Sequence, residues 1–196
     1  MVRGYVTFGV FASYRLINDD VLELWKKILE QVPKGRLLLK SEDFAVQAMA
    51  VEAAERLHGL GFDMGRVSFE GTEGDPAAKL LDIDILLGTY PLLEGEKLLD
   101  ALYMGVPAVL LYGDRQDTRL GLSILSRLGM EGLAAVHRNE YVHKAVSLAN
   151  NRSLLDFMHK NLRETVESAV ELSPVKWAKA LETAVEDLNV RILREC

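Results

Sequence analysis

DIDILLGTYPLLEGEKLLDALYMGVPAVLLYGDR, residues Asp82 to Arg115, is the stretch on which the reading of the fold depends. Ile83, Ile85, Leu86 and Leu87 form a short apolar run of the kind that fills a strand buried on both faces. Leu98, Leu99, Ala101 and Leu102 then recur at helical spacing in a helix from about Glu94 to Met104, and Gly105-Val106-Pro107 turns into a second strand before Arg115. Strand, loop, helix, turn and strand in this order make a parallel unit with a right-handed crossover. Such units hold ligands at the carboxyl ends of their strands, so the loop from Thr89 to Lys97 is the candidate site.

The chain on either side repeats the alternation. Tyr5 to Phe11 is rich in β-branched and aromatic residues and predicts a first strand. Asn18 or Asp19 can cap a helix whose apolar face is Val21, Leu22, Trp25, Ile28, Leu29 and Val32, and Pro33-Lys34-Gly35 ends it. Arg36 to Lys40 predicts a second strand, Ser41 to about Gly59 a helix with Glu42 and Asp43 in its first turn, and Val67 to Phe69 a third strand. Asp75-Pro76 begins a short helix to Leu81. Downstream, Thr118 to Leu128 predicts an amphipathic helix, Leu133 to Val136 a short sixth strand, and Asn139 and Ser153 the starts of two further helices. Ser173-Pro174 opens a long last helix marked by Trp177, Leu181, Val185, Leu188 and Ile192. With no repeat or linker, residues 1–196 read as one α/β domain: a Rossmann-like, doubly wound parallel sheet of about six strands with helices on both faces and a helical part over 139–196.

Composition narrows the function classes. The chain has 196 residues, 49% of them hydrophobic, which is enough for a sizeable core. No apolar run reaches the roughly 20 residues of a membrane helix, and the N-terminus lacks the pattern of a signal peptide. A net charge of −6 with both signs interspersed argues against nucleic acid or an anionic membrane as partner. Cys196 is the lone cysteine, so no intrachain disulfide can form and a cytoplasmic setting is expected.

Standard catalytic motifs are missing: there is no Walker loop, no GxGxxG after the first strand, no GxSxG and no HExxH. His58, His137, His143 and His159 fall on different predicted elements, so no metal site is expected. Asp82 and Asp84 flank a strand as solvated edge residues. Gly95, Glu96 and Lys97 open a helix after a strand, where free N–H groups and the positive dipole end can cradle a phosphate. The same residues also fit an ordinary turn with a carboxylate at the helix N-terminus. Arg15, after the first strand, and Lys79, before the fourth, would approach the same sheet edge.

A family resemblance adds to this. Phe11-Ala12-Ser13 through Ile17, the Leu22 to Leu29 helix with its Leu-Trp and Ile-Leu pairs, Val32-Pro33, and Arg36 to Lys40 run in sequence. They are followed by Ala101-Leu102-Tyr103-Met104-Gly105-Val106-Pro107, Gly113-Asp114-Arg115, Thr118-Arg119-Leu120-Gly121 and Ser173-Pro174. Together they resemble the C-terminal half of the cytoplasmic O-linked N-acetylglucosamine transferases and their SPINDLY-like relatives. The resemblance implies half of a GT-B architecture, in which this half holds a UDP-sugar, such as UDP-N-acetylglucosamine, without a metal. The family's acidic residue for the ribose hydroxyls is matched by Asp100, its diphosphate loop by Gly95-Glu96-Lys97, and its base-contacting arginine by Lys79. Its diphosphate lysine is matched by Leu16, with Arg15 beside it, and a histidine before strand four by Pro76. The acceptor-side half would come from a partner chain or domain, leaving this chain alone incomplete or inactive. The alternative is a non-catalytic binding or scaffold module that has lost diphosphate binding. Trp177 is expected to pack on the helical layer, or else to serve a mate or a second copy.

Overall fold

The structure is a computed structural model, and it describes residues 4–71, 80–169 and 174–195. Six strands are described: β1 (Thr7–Phe11), β2 (Arg36–Lys40), β3 (Val67–Glu70), β4 (Ile85–Leu87), β5 (Ala108–Leu111) and β6 (Ala134–Ala135). They form one parallel sheet in the order β3-β2-β1-β4-β5-β6. The chain therefore winds outward from β1 through β2 and β3, returns to the other side of β1, and winds outward again through β4, β5 and β6. The reversal lies between β1 and β4, where Phe8 faces Ile85 and Gly9 faces Leu86. Above the carboxyl ends of these two strands is the position at which doubly wound sheets open a crevice.

Period-two alternation divides the strand side chains between two apolar layers. Phe8 and Val10, Ile85 and Leu87, and Val109 and Leu111 join one layer, beneath α1 (Asp19–Gln31), α2 (Gln47–Gly59) and α5 (Arg138–Asn150). Leu38, Leu86, Ala108 and Leu110 join the other, beneath α3 (Gly95–Tyr103), α4 (Leu120–Arg127) and α6 (Arg152–Ser168). The helices meet these layers with the faces their sequences assign: Val21, Leu22, Trp25, Ile28 and Leu29 on α1, and Leu98, Ala101 and Leu102 on α3. Helix α1 starts as its cap requires, with the Asn18 side chain accepting the Val21 N–H at 2.9 Å.

Several expectations are corrected. The helix read from Ser41 is broken into a 3-10 turn over Glu42–Ala45, an extended Val46, and α2. The Ser41 hydroxyl accepts the Asp43 N–H, while the Asp43 carboxylate turns away to the loop after β1. Residues 116–119 are likewise a 3-10 turn before α4. Helix α5 begins at Arg138 behind His137, and α6 at Arg152 behind Asn151, whose side chain accepts the Leu154 N–H at 3.1 Å. Asp84 is half-buried rather than a solvated edge residue, because its carboxylate accepts the Thr7 N–H at 2.7 Å and ties the base of β4 to β1. The helix expected from Asp75, together with Pro76 and Lys79, lies outside the described residues. Finally, α7 (Pro174–Glu195) does not lay Trp177 on the helical layer: the indole is 58% exposed, as are comparable fractions of Leu181, Val185, Leu188 and Ile192.

Candidate functional site

Two loops stand at the reversal point, over the place where doubly wound sheets open a crevice. The first follows β1 and contains Ser13, the 3-10 turn Tyr14–Leu16, and Asn18. The second, residues 88–94, leads from β4 into α3 and contains a cis Tyr90-Pro91 peptide bond. Its floor is polar but buried: the Trp25 indole donates to the Tyr141 hydroxyl at 3.0 Å, and that hydroxyl donates to the Gly88 carbonyl at 3.4 Å. Burial pushes the Tyr141 phenol well up from its ordinary value, so it is a fixed neutral donor at any physiological pH. The Thr89 hydroxyl closes the second loop on itself by donating to the Leu92 carbonyl at 2.6 Å.

Hydrogen bonds join the two loops directly. The Ser13 N–H donates to Glu94 Oε2 at 2.7 Å, and the Asn18 side-chain amide donates to the Tyr90 carbonyl at 2.7 Å. Lys97 Nζ, in the first turn of α3, meets Glu94 Oε1 at 2.9 Å and stands 5.3 Å from the centroid of the Phe11 ring. Asp43 lies on the flank, where its Oδ2 accepts the Tyr14 N–H at 2.9 Å and the Ser41 and Ser13 hydroxyls at 3.1 and 3.2 Å. Desolvation raises its pKa, but those hydrogen bonds and the charge of Arg15 outweigh it and hold the carboxyl below the usual aspartate value.

The residues read from the sequence occupy this region unevenly. Gly95 is the first residue of α3, and a Cβ there would lie 3.0 Å from Leu120, so α3 and α4 begin side by side. The N-cap residue Glu94 makes no side-chain cap hydrogen bond to α3, so its side chain leaves the N–H groups of that first turn without the usual N-cap acceptor. Lys97 reaches into the crevice and is largely covered. Glu96 is exposed on the first turn, Asp100 is exposed one turn further on, and Arg15 is exposed at the end of its 3-10 turn. The carboxylate that joins the two loops is Glu94, which the sequence places in the Thr89-to-Lys97 loop without a role of its own; Ser13, Asn18 and Asp43 are read there as a family segment, a helix cap and a helix first turn, not as part of the site. A carboxylate three residues before a lysine at a helix start was the one available signal. The Gly113-to-Gly121 segment turns back on itself: Gly113 N–H donates to the Thr118 hydroxyl at 3.1 Å and Arg119 donates to the Gly113 carbonyl at 2.9 Å. It borders an open groove of about 870 Å³ lined by Arg115, Gln116, Asp117, Arg119, Leu120 and Ser123. No described helix is long and apolar enough to cross a membrane.

The sequence and the fold have counterparts among known proteins. The profile of glycosyl transferase family 41 matches residues 3–180. The chain is 31% identical over 184 residues to a probable UDP-N-acetylglucosamine–peptide N-acetylglucosaminyltransferase SPINDLY of Solanum lycopersicum, covering 92% of this chain and 20% of that protein. The SPINDLY protein of Arabidopsis thaliana is 30% identical over 189 residues, covering 95% of this chain and 21% of its own length. Among solved structures, a mutant O-GlcNAc transferase of Thermobaculum terrenum superposes with a TM-score of 0.85 at 28% identity, over 98% of this chain and 36% of that one. The C-terminal domain of a group 1 glycosyl transferase from Francisella tularensis shares the fold, with a TM-score of 0.60 at 13% identity over 86% of this chain and 87% of that one. The chain thus spans about a fifth of the length of the curated relatives it matches. On its sequence profile and its GT-B-like sheet together, this chain belongs to glycosyl transferase family 41.

Proposed function

We propose that this chain is the nucleotide-sugar half of a family 41 glycosyltransferase and that a UDP-sugar, UDP-N-acetylglucosamine in the first instance, lies across the carboxyl ends of β1 and β4. The observation that carries this reading is the N-terminus of α3 at the reversal point of the sheet, where the Glu94 side chain makes no cap hydrogen bond and the first-turn N–H groups and helix dipole favour a diphosphate. Asp100, exposed on the same helix, is suited to accept hydrogen bonds from ribose hydroxyls. No metal takes part in this reading, since N–H groups and Lys97 supply the positive charge. Sugar transfer itself needs a second wall to position the acceptor, and orientation of that kind is worth roughly 7–11 kcal/mol of barrier. That wall belongs to a partner domain or chain, so this chain alone is inactive, in the cytoplasm where its unpaired cysteine stays reduced.

A specific observation favours a second reading, a binding module without donor chemistry. Lys97, in the first turn of α3, is already paired with Glu94. Calorimetric titration with UDP and UDP-N-acetylglucosamine separates the two. Micromolar binding that Asp100→Ala weakens is the outcome of the first reading; no heat at millimolar nucleotide would sink it and leave the second.

A further inference from the structure

We propose that Glu94 is the residue that sets the anion affinity of the crevice, because its carboxylate occupies the anion position as an internal substitute for a ligand phosphate. The inference rests on the nucleotide-sugar reading for the identity of the ligand, but its geometry stands on the chain alone. An acidic residue at the N-cap of a helix ordinarily turns back to accept an N–H of its own first turn. Glu94 sits at that position in α3 and does not do so. Its side chain instead crosses the crevice and divides its two oxygens between the Ser13 N–H at 2.7 Å and Lys97 Nζ at 2.9 Å. A backbone donor just past a strand end plus a covered ammonium in the first turn of a helix whose N-cap side chain does not cap it is a donor set suited to a phosphate oxygen. Here a carboxylate of the chain's own satisfies it.

The lysine supports the same reading. Its side chain is only 17% exposed and its ammonium stands over the Phe11 ring, so it is withdrawn from water into the crevice and aimed at the anion position. Glu94 is itself 33% exposed, which lets an incoming anion reach and displace it. A diphosphate therefore binds in competition with Glu94, and a ligand lacking Glu94's competition meets an unpaired Lys97. Asp43 plays no equivalent part: its oxygen is held by the Tyr14 N–H and two hydroxyls, without a lysine or an arginine in hydrogen-bond contact among the described residues.

The test is calorimetric titration of the full chain with inorganic pyrophosphate and, separately, UDP, at low ionic strength. Glu94→Gln keeps an oxygen for the Ser13 N–H and removes the charge, and it should tighten pyrophosphate binding by about tenfold or more. The double variant Glu94→Gln/Lys97→Gln should lose that gain, which a general loosening of the loop would not. Glu94→Ala, which also removes the crossing side chain, should tighten binding in the same direction and keeps the test decisive if the Gln variant folds poorly. Gain for both ligands supports the proposal together with the nucleotide-sugar reading. Gain for pyrophosphate with no binding of UDP supports the role of Glu94 and counts against that reading alone. Pyrophosphate affinity unchanged or weakened in both Glu94 variants overturns the proposal, even if UDP binds the unaltered chain well.

Discussion

The two ends of helix α3 lie in one short βαβ unit and are built on different principles. At its carboxyl end, Gly105 has a φ of +82°, its N–H reaches the Leu102 carbonyl, and the Val106 N–H reaches the Ala101 carbonyl at 2.8 Å, which closes the helix with a Schellman turn. A Cβ at Gly105 would stand 2.8 Å from the His159 carbonyl oxygen of α6, so no other residue fits without moving backbone. At its amino end the loop is held by side chains reaching from far along the chain, Glu94 to Ser13 and Asn18 to Tyr90. One end is determined by backbone geometry and burial, the other by exchangeable polar contacts. The contrast explains how the carboxyl end can be fixed by the fold while the loop ahead of α3 stays free to vary.

That contrast can be broken at several points. The largest effect is expected from Gly105→Ala, which adds a left-handed penalty and a backbone clash and should lower unfolding free energy by about 2–4 kcal/mol in urea titration. A loss below about 0.5 kcal/mol would mean that the carboxyl end is as adaptable as the amino end. Tyr141→Phe leaves the buried Trp25 N–H without an acceptor and should cost about 2 kcal/mol by the same measurement. A negligible cost would show that the crevice floor is not tied to the core. Next, Asp43→Asn should cost about 1 kcal/mol at neutral pH, where the carboxylate holds its donors. Because the folded pKa of Asp43 is depressed, its contribution is present above the unfolded value and lost as pH falls through the folded one. The stability gap between the two proteins should therefore close below about pH 4, and a gap that is flat with pH would remove the charge from the explanation.

The smallest effect is expected at α7. Helix α6 buries Leu155, Leu162 and Val166, whereas every described side chain of α7 is exposed, including Trp177. Ending the chain after Ala169 should change the urea midpoint of the remaining domain by less than the equivalent of about 0.5 kcal/mol. A larger loss would place α7 in the cooperative unit with the sheet.

Much of the architecture was legible in the residues because it depends on local periodicity. Arg36 to Lys40 is observed as read, and the α3 boundaries moved by one residue at each end. The errors came where a side chain preferred a distant partner to its local one. Asp43 left its helix start for Tyr14, which broke the helix read from Ser41, and Asp84 left solvent for Thr7. Trp177 failed in the opposite sense, because amphipathic spacing shows that a face is apolar without showing what covers it.

The site divides along the same line. Gly95 and Lys97 were legible as a helix start after a buried strand, and that local fact is what the sequence by itself determined, along with the parallel sheet and the family. Glu94 was not, since its partner Ser13 stands 81 residues away and nothing in the spacing of either residue records the other. Only the tertiary structure decided that the carboxylate at the head of α3 turns across the crevice instead of capping its own helix. The physical reason is that helix and strand propensities are set by neighbours along the chain, whereas a charge finds its partner among whatever groups the fold brings within about 3 Å.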